Sequence, residues 1–334
     1  TGHGTHLAGL AAGSTVGVAP DSHVLSLKVA GEHGDTDVNA VIAAIDFTVA
    51  HRHQLSIGVL LLAFGADQLP EGEHDPLAAA VARAYHNHVA KDFNSRTDRF
   101  KVVGVLPMQD PQEAVKELRR AVTELGLVSF EILSQGFQTP LGDPMYHPIY
   151  AEAERLDCPL SIHGTRGVPH EVGAGGYKTF NEVHTYVFPA SVLLHFTSVI
   201  YNAIPVIFPK LRLSFLEIGS TWLPYWLDRM NEHWEIRGEF EAAKLPKKPG
   251  DVVRESPIYF TLEAGESLLP QTIDYLGDDH FMYATDFPHW DAEFPKNLDE
   301  LWNHGELSTS TKEKVLYHNA KAFYGIKPAV DSVK

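Results

Sequence analysis

Pro159-Leu160-Ser161-Ile162-His163 is a short, nearly continuous apolar run that stops on an imidazole. Such a run reads as a strand buried on both faces, as strands are in a parallel sheet. Residues 101–106, 128–133, 211–217, 258–262 and 280–286 read the same way. Helical periodicity fills the intervals. Residues 111–125, for example, place Ala114, Val115, Leu118, Val122 and Leu125 on one face. Strands alternating with helices define an α/β chain built around a parallel sheet.

The same rhythm extends upstream. Residues 23–29 and 57–65 read as strands, 37–49 as an amphipathic helix, and 76–90 as a helix with proline early, where its missing N–H costs nothing. Six β/α units follow residue 85 and two precede it. Together they make eight, the number that closes a (β/α)₈, TIM-barrel-like fold. The expected organisation is an N-terminal segment over 1–84, a barrel segment over 85–328 and a tail over 329–334.

Composition narrows the function. Asp and Glu outnumber Lys and Arg by 43 to 27, a net charge of −16. So acidic a surface repels phosphate backbones, which argues against a nucleic-acid partner, and otherwise reads as a solubility surface. No uninterrupted apolar run reaches the ~18 residues of a membrane span, so no membrane partner is expected. The single cysteine, Cys158, excludes an intrachain disulfide and reads as a small core residue. Lys244 to Pro249 (KLPKKP) reads as a surface turn. The chain starts at Thr1 and shows no signal peptide, so it reads as a fragment or processed product, with a cytoplasmic location expected. Oligomeric state is left open.

Two constellations carry chemistry. The first is Gly2-His3-Gly4-Thr5-His6-Leu7-Ala8-Gly9. It is followed by Gly17-Val18-Ala19-Pro20, Leu25-Ser26-Leu27-Lys28-Val29 and Ile42-Ala43-Ala44-Ile45-Asp46. This ordered series resembles the histidine region of subtilisin-like (S8) serine peptidases. The resemblance implies that His3 is a general base. The family's aspartate, serine motif and oxyanion asparagine have no counterpart here. Without the nucleophile there is no acyl-enzyme chemistry, so His3 is expected to be inert.

The second constellation begins near Tyr85. It comprises Asp98-Arg99-Phe100, Leu106-Pro107-Met108-Gln109-Asp110, Asp143 to Tyr150 (DPMYHPIY), the opening PLSIH stretch, Phe208-Pro209-Lys210-Leu211-Arg212 and Glu217 to Arg229. It ends with Tyr283-Ala284-Thr285-Asp286-Phe287-Pro288-His289-Trp290-Asp291 and Asn319 to Gly325. The ensemble resembles the amidohydrolase-2 branch of the metal-dependent amidohydrolases, which includes hydrolases and non-oxidative decarboxylases of the aminocarboxymuconate-semialdehyde and hydroxybenzoate types. The whole chain thus reads as a chimera of two hydrolase families.

That resemblance implies a divalent metal, Zn²⁺ foremost with Mn²⁺ or Fe as alternatives, held by His163 and Asp286. Both residues are expected at C-terminal strand ends, where a barrel gathers its active site. Glu217 stands where several members carry a catalytic histidine; proton transfer or substrate hydrogen bonding are its expected roles. His184, in Glu182-Val183-His184-Thr185, resembles a substrate-side motif, with Phe188 where the family often has a second histidine. His289 and Asp291 are expected to support the metal aspartate by hydrogen bonding. His195 reads as a packed helical histidine, and Trp222, Tyr225 and Trp226 as core or rim aromatics. The family's first-strand ligand pair is missing: the residues before Tyr85 are subtilase-like instead. That loss predicts weak metal binding and impaired activity in a hydrolase or carboxy-lyase for a small organic acid or amide.

Overall fold

The computed structural model describes residues 76–94, 100–136, 139–165, 172–287, 289 and 292–326. His3, the strands read at 23–29 and 57–65, Asp291 and the tail lie outside the described residues. So does the question of whether the first two β/α units complete a barrel.

The described chain opens with α1 (Pro76–Val89), which continues as a π turn over Ala90–Asn94. Then come β1 (Val103–Val105), α2 (Pro111–Leu125), β2 (Ser129–Leu133), α3 (His147–Arg155) and β3 (Leu160–His163). The long α4 (Phe180–Tyr201) and short α5 (Ile204–Ile207) lead to β4 (Leu213–Leu216). Next are α6 (Leu223–Glu241), α7 (Pro249–Glu255), β5 (Ile258–Leu262), α8 (Leu269–Leu276) and β6 (Phe281–Tyr283). Three short helices finish it: α9 (Lys296–Trp302), α10 (Thr309–Glu313) and α11 (Asn319–Tyr324).

All six strands pair in parallel and in sequence order. This is the repeated β/α arrangement of a TIM-barrel-like fold, as the alternating pattern predicts. The register aligns Glu131 with Ser161 and Ser161 with Ser214. Alternation then puts Phe130, Ile132, Leu160, Ile162, Leu213 and Phe215 on the other face, all at most 2% exposed among the helices. The inward row is polar: Ser161 and Ser214 share a 2.8 Å hydroxyl hydrogen bond. A barrel interior normally favours bulky branched side chains; here the register sets the small Ser161 beside Glu131.

The helices obey local rules. Asp110 caps α2 by accepting from Gln112 N–H (2.9 Å) and Glu113 N–H (3.2 Å), and left-handed Gly126 ends it. Thr179 and Glu182 form a reciprocal capping box at the start of α4. By length and composition α4 suffices to cross a membrane, which uninterrupted run length had not revealed. Its Val187, Val192, Phe196, Val199 and Ile200 are fully buried. Cys158 is buried too, and burial pushes its thiol up to about 12, as suits a packed and unreactive side chain.

Candidate active site

His163, Glu217 and Asp286 come together at the C-terminal side of the sheet. His163 is the last residue of β3. Glu217 follows β4 directly, and Asp286 comes three residues after β6, so both extend beyond the strands expected to end on them. The backbone explains the difference: Glu217 (φ 61°) and Asp286 (φ 52°) are left-handed. A non-glycine residue in that region costs on the order of 1–3 kcal/mol and persists only where its surroundings hold it. Here the bend ends the strand and turns each carboxyl toward its neighbours.

The hydrogen bonds fix the state of the imidazole. His163 Nδ1 donates to the carbonyl oxygen of Gly164 at 2.6 Å, and Nε2 faces Glu217 Oε1 at 2.9 Å. A carbonyl and an ionised carboxylate only accept, so this geometry suits an imidazolium, with a proton on each ring nitrogen. Burial alone would lower the His163 pKa. The hydrogen bond to Glu217 and the charges of Glu131 and Glu217 outweigh it and bring it up to about 9. Burial likewise pushes Glu217 upward, but His163 and a hydrogen bond with Asp286 hold it below the ordinary carboxylate value.

Sequence reasoning missed Glu131. Its Oε1 is 3.9 Å from His163 Nδ1, and burial raises its pKa, with His163 opposing and Glu217 adding to the rise. The available signal was one carboxylate in the apolar strand SFEIL, on the inward alternation.

The remaining candidates surround this cluster. His289 Nδ1 is 3.3 Å from Asp286 Oδ2, and its backbone N–H donates to the Asp286 carbonyl at 2.7 Å. His184 stacks between Phe180 and Phe188, at centroid separations of 5.1 and 4.9 Å. Phe188 in turn meets the His163 ring at 6.2 Å, so His184 joins the site through an aromatic ladder. Gly164 permits this, because a Cβ there would lie 2.6 Å from Phe188. His195 is buried: Nδ1 accepts from Leu141 N–H at 3.1 Å and Nε2 donates to Ser134 O at 2.8 Å. Trp222 packs edge-on against Phe196 and Phe260, while Tyr225 is exposed.

The donors of the cluster suit a divalent cation in kind, since imidazole nitrogen and carboxylate oxygen bind Zn²⁺ and Mn²⁺. Asp286 lies near enough to Glu217 to help hold its pKa down. A metal at His163 Nε2 would replace the proton that this nitrogen now holds. Among the described residues, no group of three or more His, Cys, Asp or Glu side chains is spaced to hold a metal ion. His163 and Asp286 supply donors of the right kind without belonging to such a group.

The fold and site define a β/α-barrel protein with an imidazole–carboxylate cluster at its strand ends, and comparison with known proteins places it further. The amidohydrolase family profile matches residues 61–326, and the chain belongs to that family. The subtilase family profile matches residues 1–100, overlapping the first over 61–100. The chain is 28% identical to the 2-amino-3-carboxymuconate-6-semialdehyde decarboxylase of Dictyostelium discoideum, over 75% of this chain and 68% of that protein. It is 27% identical to the gamma-resorcylate decarboxylase of Rhodococcus jostii, over 81% and 84% respectively. Its fold superposes with a TM-score of 0.63 on a dihydroxybenzoic acid decarboxylase from a Polaromonas species, crystallised with manganese and 2-nitroresorcinol. That match is 23% identical and covers 75% of this chain and 76% of the other.

Proposed function

We propose that this member of the amidohydrolase family is a metal-dependent, non-oxidative carboxy-lyase acting on a small aromatic or unsaturated acid. The observation that carries the reading is the His163–Glu217–Asp286 cluster at the ends of β3, β4 and β6. The decarboxylases among its relatives support loss of carbon dioxide over hydrolysis.

In this reading His163 and Asp286 hold a divalent ion, and the manganese of the Polaromonas enzyme supports Mn²⁺ alongside Zn²⁺. Such an ion would supply positive charge beside the substrate's carboxylate. The chain's own residues manage the proton. Non-oxidative decarboxylation adds one proton to the carbon that bore the carboxylate; the carbon–carbon bond pair is left on that carbon, and CO₂ departs. Glu217, an ionised carboxylate paired with His163 and set beside Asp286, is the group assigned to relay that proton, taking it up from the cluster and passing it to the carbon. Phe188 and the His184 ladder give the site an aromatic wall suited to a flat ring. His289 steadies Asp286, and Asp291 is assigned to the same support. The subtilase-like residues are assigned no catalytic part, with His3 inert.

The test uses the full chain with gamma-resorcylate, with and without added Mn²⁺ or Zn²⁺, following resorcinol formation by chromatography and bound metal by elemental analysis after dialysis. Metal-dependent turnover abolished by His163→Ala is expected. A chain that binds no metal and is indifferent to His163→Ala would overturn the reading.

A further inference from the structure

Glu217 meets His163 only because the turn after β4 is bent in a defined way. Glu217 is left-handed, and so is Gly219 (φ 64°). Two side chains from the next β/α unit hold that bend. Thr261 Oγ1, on β5, accepts from Glu217 N–H at 2.9 Å. Glu266, in the turn between β5 and α8, does more. Its Oε1 accepts from Ser220 N–H at 2.6 Å and Thr221 N–H at 2.9 Å; its Oε2 accepts from Ser220 Oγ at 2.7 Å and Glu263 N–H at 3.2 Å. A Cβ on Gly219 would lie 2.6 Å from Glu266 Oε1, so the carboxylate fills the space that this glycine leaves. Both carboxylate oxygens are thus spent on two loops, one of which carries Glu217. An amide could accept at one end only.

We propose that Glu266 is a positioning residue of the active site: it locks residues 217–221 so that the Glu217 carboxylate stands between His163 and Asp286. The proposal rests on the assignment of Glu217 to the reacting site made above. Nothing in the motif pattern singles out Glu266; its role comes from convergence of four donors on one side chain.

The test compares Glu266→Ala, Glu266→Gln, Glu217→Gln and the double variant Glu266→Ala/Glu217→Gln in the full chain. The first readout needs no turnover: the ¹⁵N signals of the His163 imidazole in metal-free protein near neutral pH. Glu266→Ala is expected to shift them as Glu217→Gln does, while the buried His86 and His195 keep their wild-type signals. The second readout is gamma-resorcylate decarboxylation. Misplacing Glu217 by about 1 Å should lower kcat by about 100-fold. The double variant should be no slower than Glu217→Gln alone, because both changes act through one carboxylate. Glu266→Gln, keeping one acceptor oxygen, should recover part of the loss. Folded Glu266→Ala with wild-type His163 signals, or losses that multiply in the double variant, would overturn the proposal. If Glu266→Ala does not fold, Glu266→Gln carries both readouts with the same outcomes deciding. A wild-type chain that fails to decarboxylate gamma-resorcylate counts against the function proposed above and leaves the imidazole signals to decide this one.

Discussion

His163 Nε2 stands 2.9 Å from Glu217 Oε1 while the opposite nitrogen of the same ring donates to Gly164 O at 2.6 Å. The pair therefore makes folding depend on pH in a definite direction. The His163 pKa is raised from 6.5 to about 9 in the folded chain. A raised imidazole contributes stability that is complete below the unfolded value and is lost as pH rises through the folded one. Thermal midpoints of the metal-free protein should fall between about pH 6.5 and about pH 9, and His163→Gln should flatten that segment. A wild-type midpoint that rises across the window would refute the imidazolium assignment. Glu217 acts at the other end of the scale. Its pKa is lowered, so its contribution is present at neutral pH and lost on acidification through the folded value.

Glu217→Gln separates two roles of this carboxyl. An amide keeps the shape and can still hydrogen-bond, yet it cannot hold or deliver a proton. If Glu217 moves the proton, kcat falls about 10²- to 10⁴-fold with little change in KM. The His163 pKa drops as well, since its closest negative charge is gone. A variant with a wild-type kcat and a raised KM would reassign Glu217 to substrate binding.

His86 and Glu117 form a second buried pair, and its consequences are structural. Val105 N–H donates to His86 Nε2 at 3.0 Å, and His86 Nδ1 donates to Glu117 Oε1 at 2.6 Å. Burial lowers the His86 pKa, so the ring is a neutral tautomer fixed at both ends. Arg120 donates to both oxygens of Glu117, at 2.6 Å to the Oε1 that His86 also meets and at 2.9 Å to Oε2. The arrangement fastens α1 to β1 and α2, and Gly104 makes room for it: a Cβ there would sit 2.7 Å from His86 Nε2. His86→Ala leaves a cavity, an orphaned amide and a buried carboxylate short of a donor. A loss of about 2–4 kcal/mol in urea unfolding is expected. A change below about 0.5 kcal/mol, the range of ordinary surface substitutions, would show that α1 is not docked this way.

The opening PLSIH stretch was readable because burial on both faces forces a run of apolar residues, and the break at His163 marks where the chain leaves the sheet. The same logic gave Ile258–Leu262 and the Pro111–Leu125 helix at the observed bounds. It overran at Glu217 and Asp286, because their positive φ is held by tertiary surroundings that the local sequence does not show. Glu131 and Glu266 were hidden for a different reason. Each acts through partners 32 or more residues away in sequence, or through a turn, and neither contact leaves a spacing to read. The join expected between residues 84 and 85 falls inside α1. There Ala82, His86 and Val89 are buried at helical spacing, in one unbroken stripe across the join.

The N-terminal segment supplies the last prediction. A subtilase histidine acts only by taking a proton from a serine that then attacks a carbonyl. The subtilase profile ends at residue 100, and no Gly-Thr-Ser-Met-Ala type motif follows it. Two serine pairs within the barrel are committed elsewhere: Ser134 Oγ lies 2.7 Å from Ser191 Oγ, and Ser161 Oγ lies 2.8 Å from Ser214 Oγ. A fluorophosphonate probe, which reports an activated serine, should therefore leave the full chain unlabelled, and His3→Ala should not alter decarboxylation. Labelling that disappears in His3→Ala would show that a nucleophile has been recruited to the segment, and would move the chain's chemistry from the barrel to its N-terminal part.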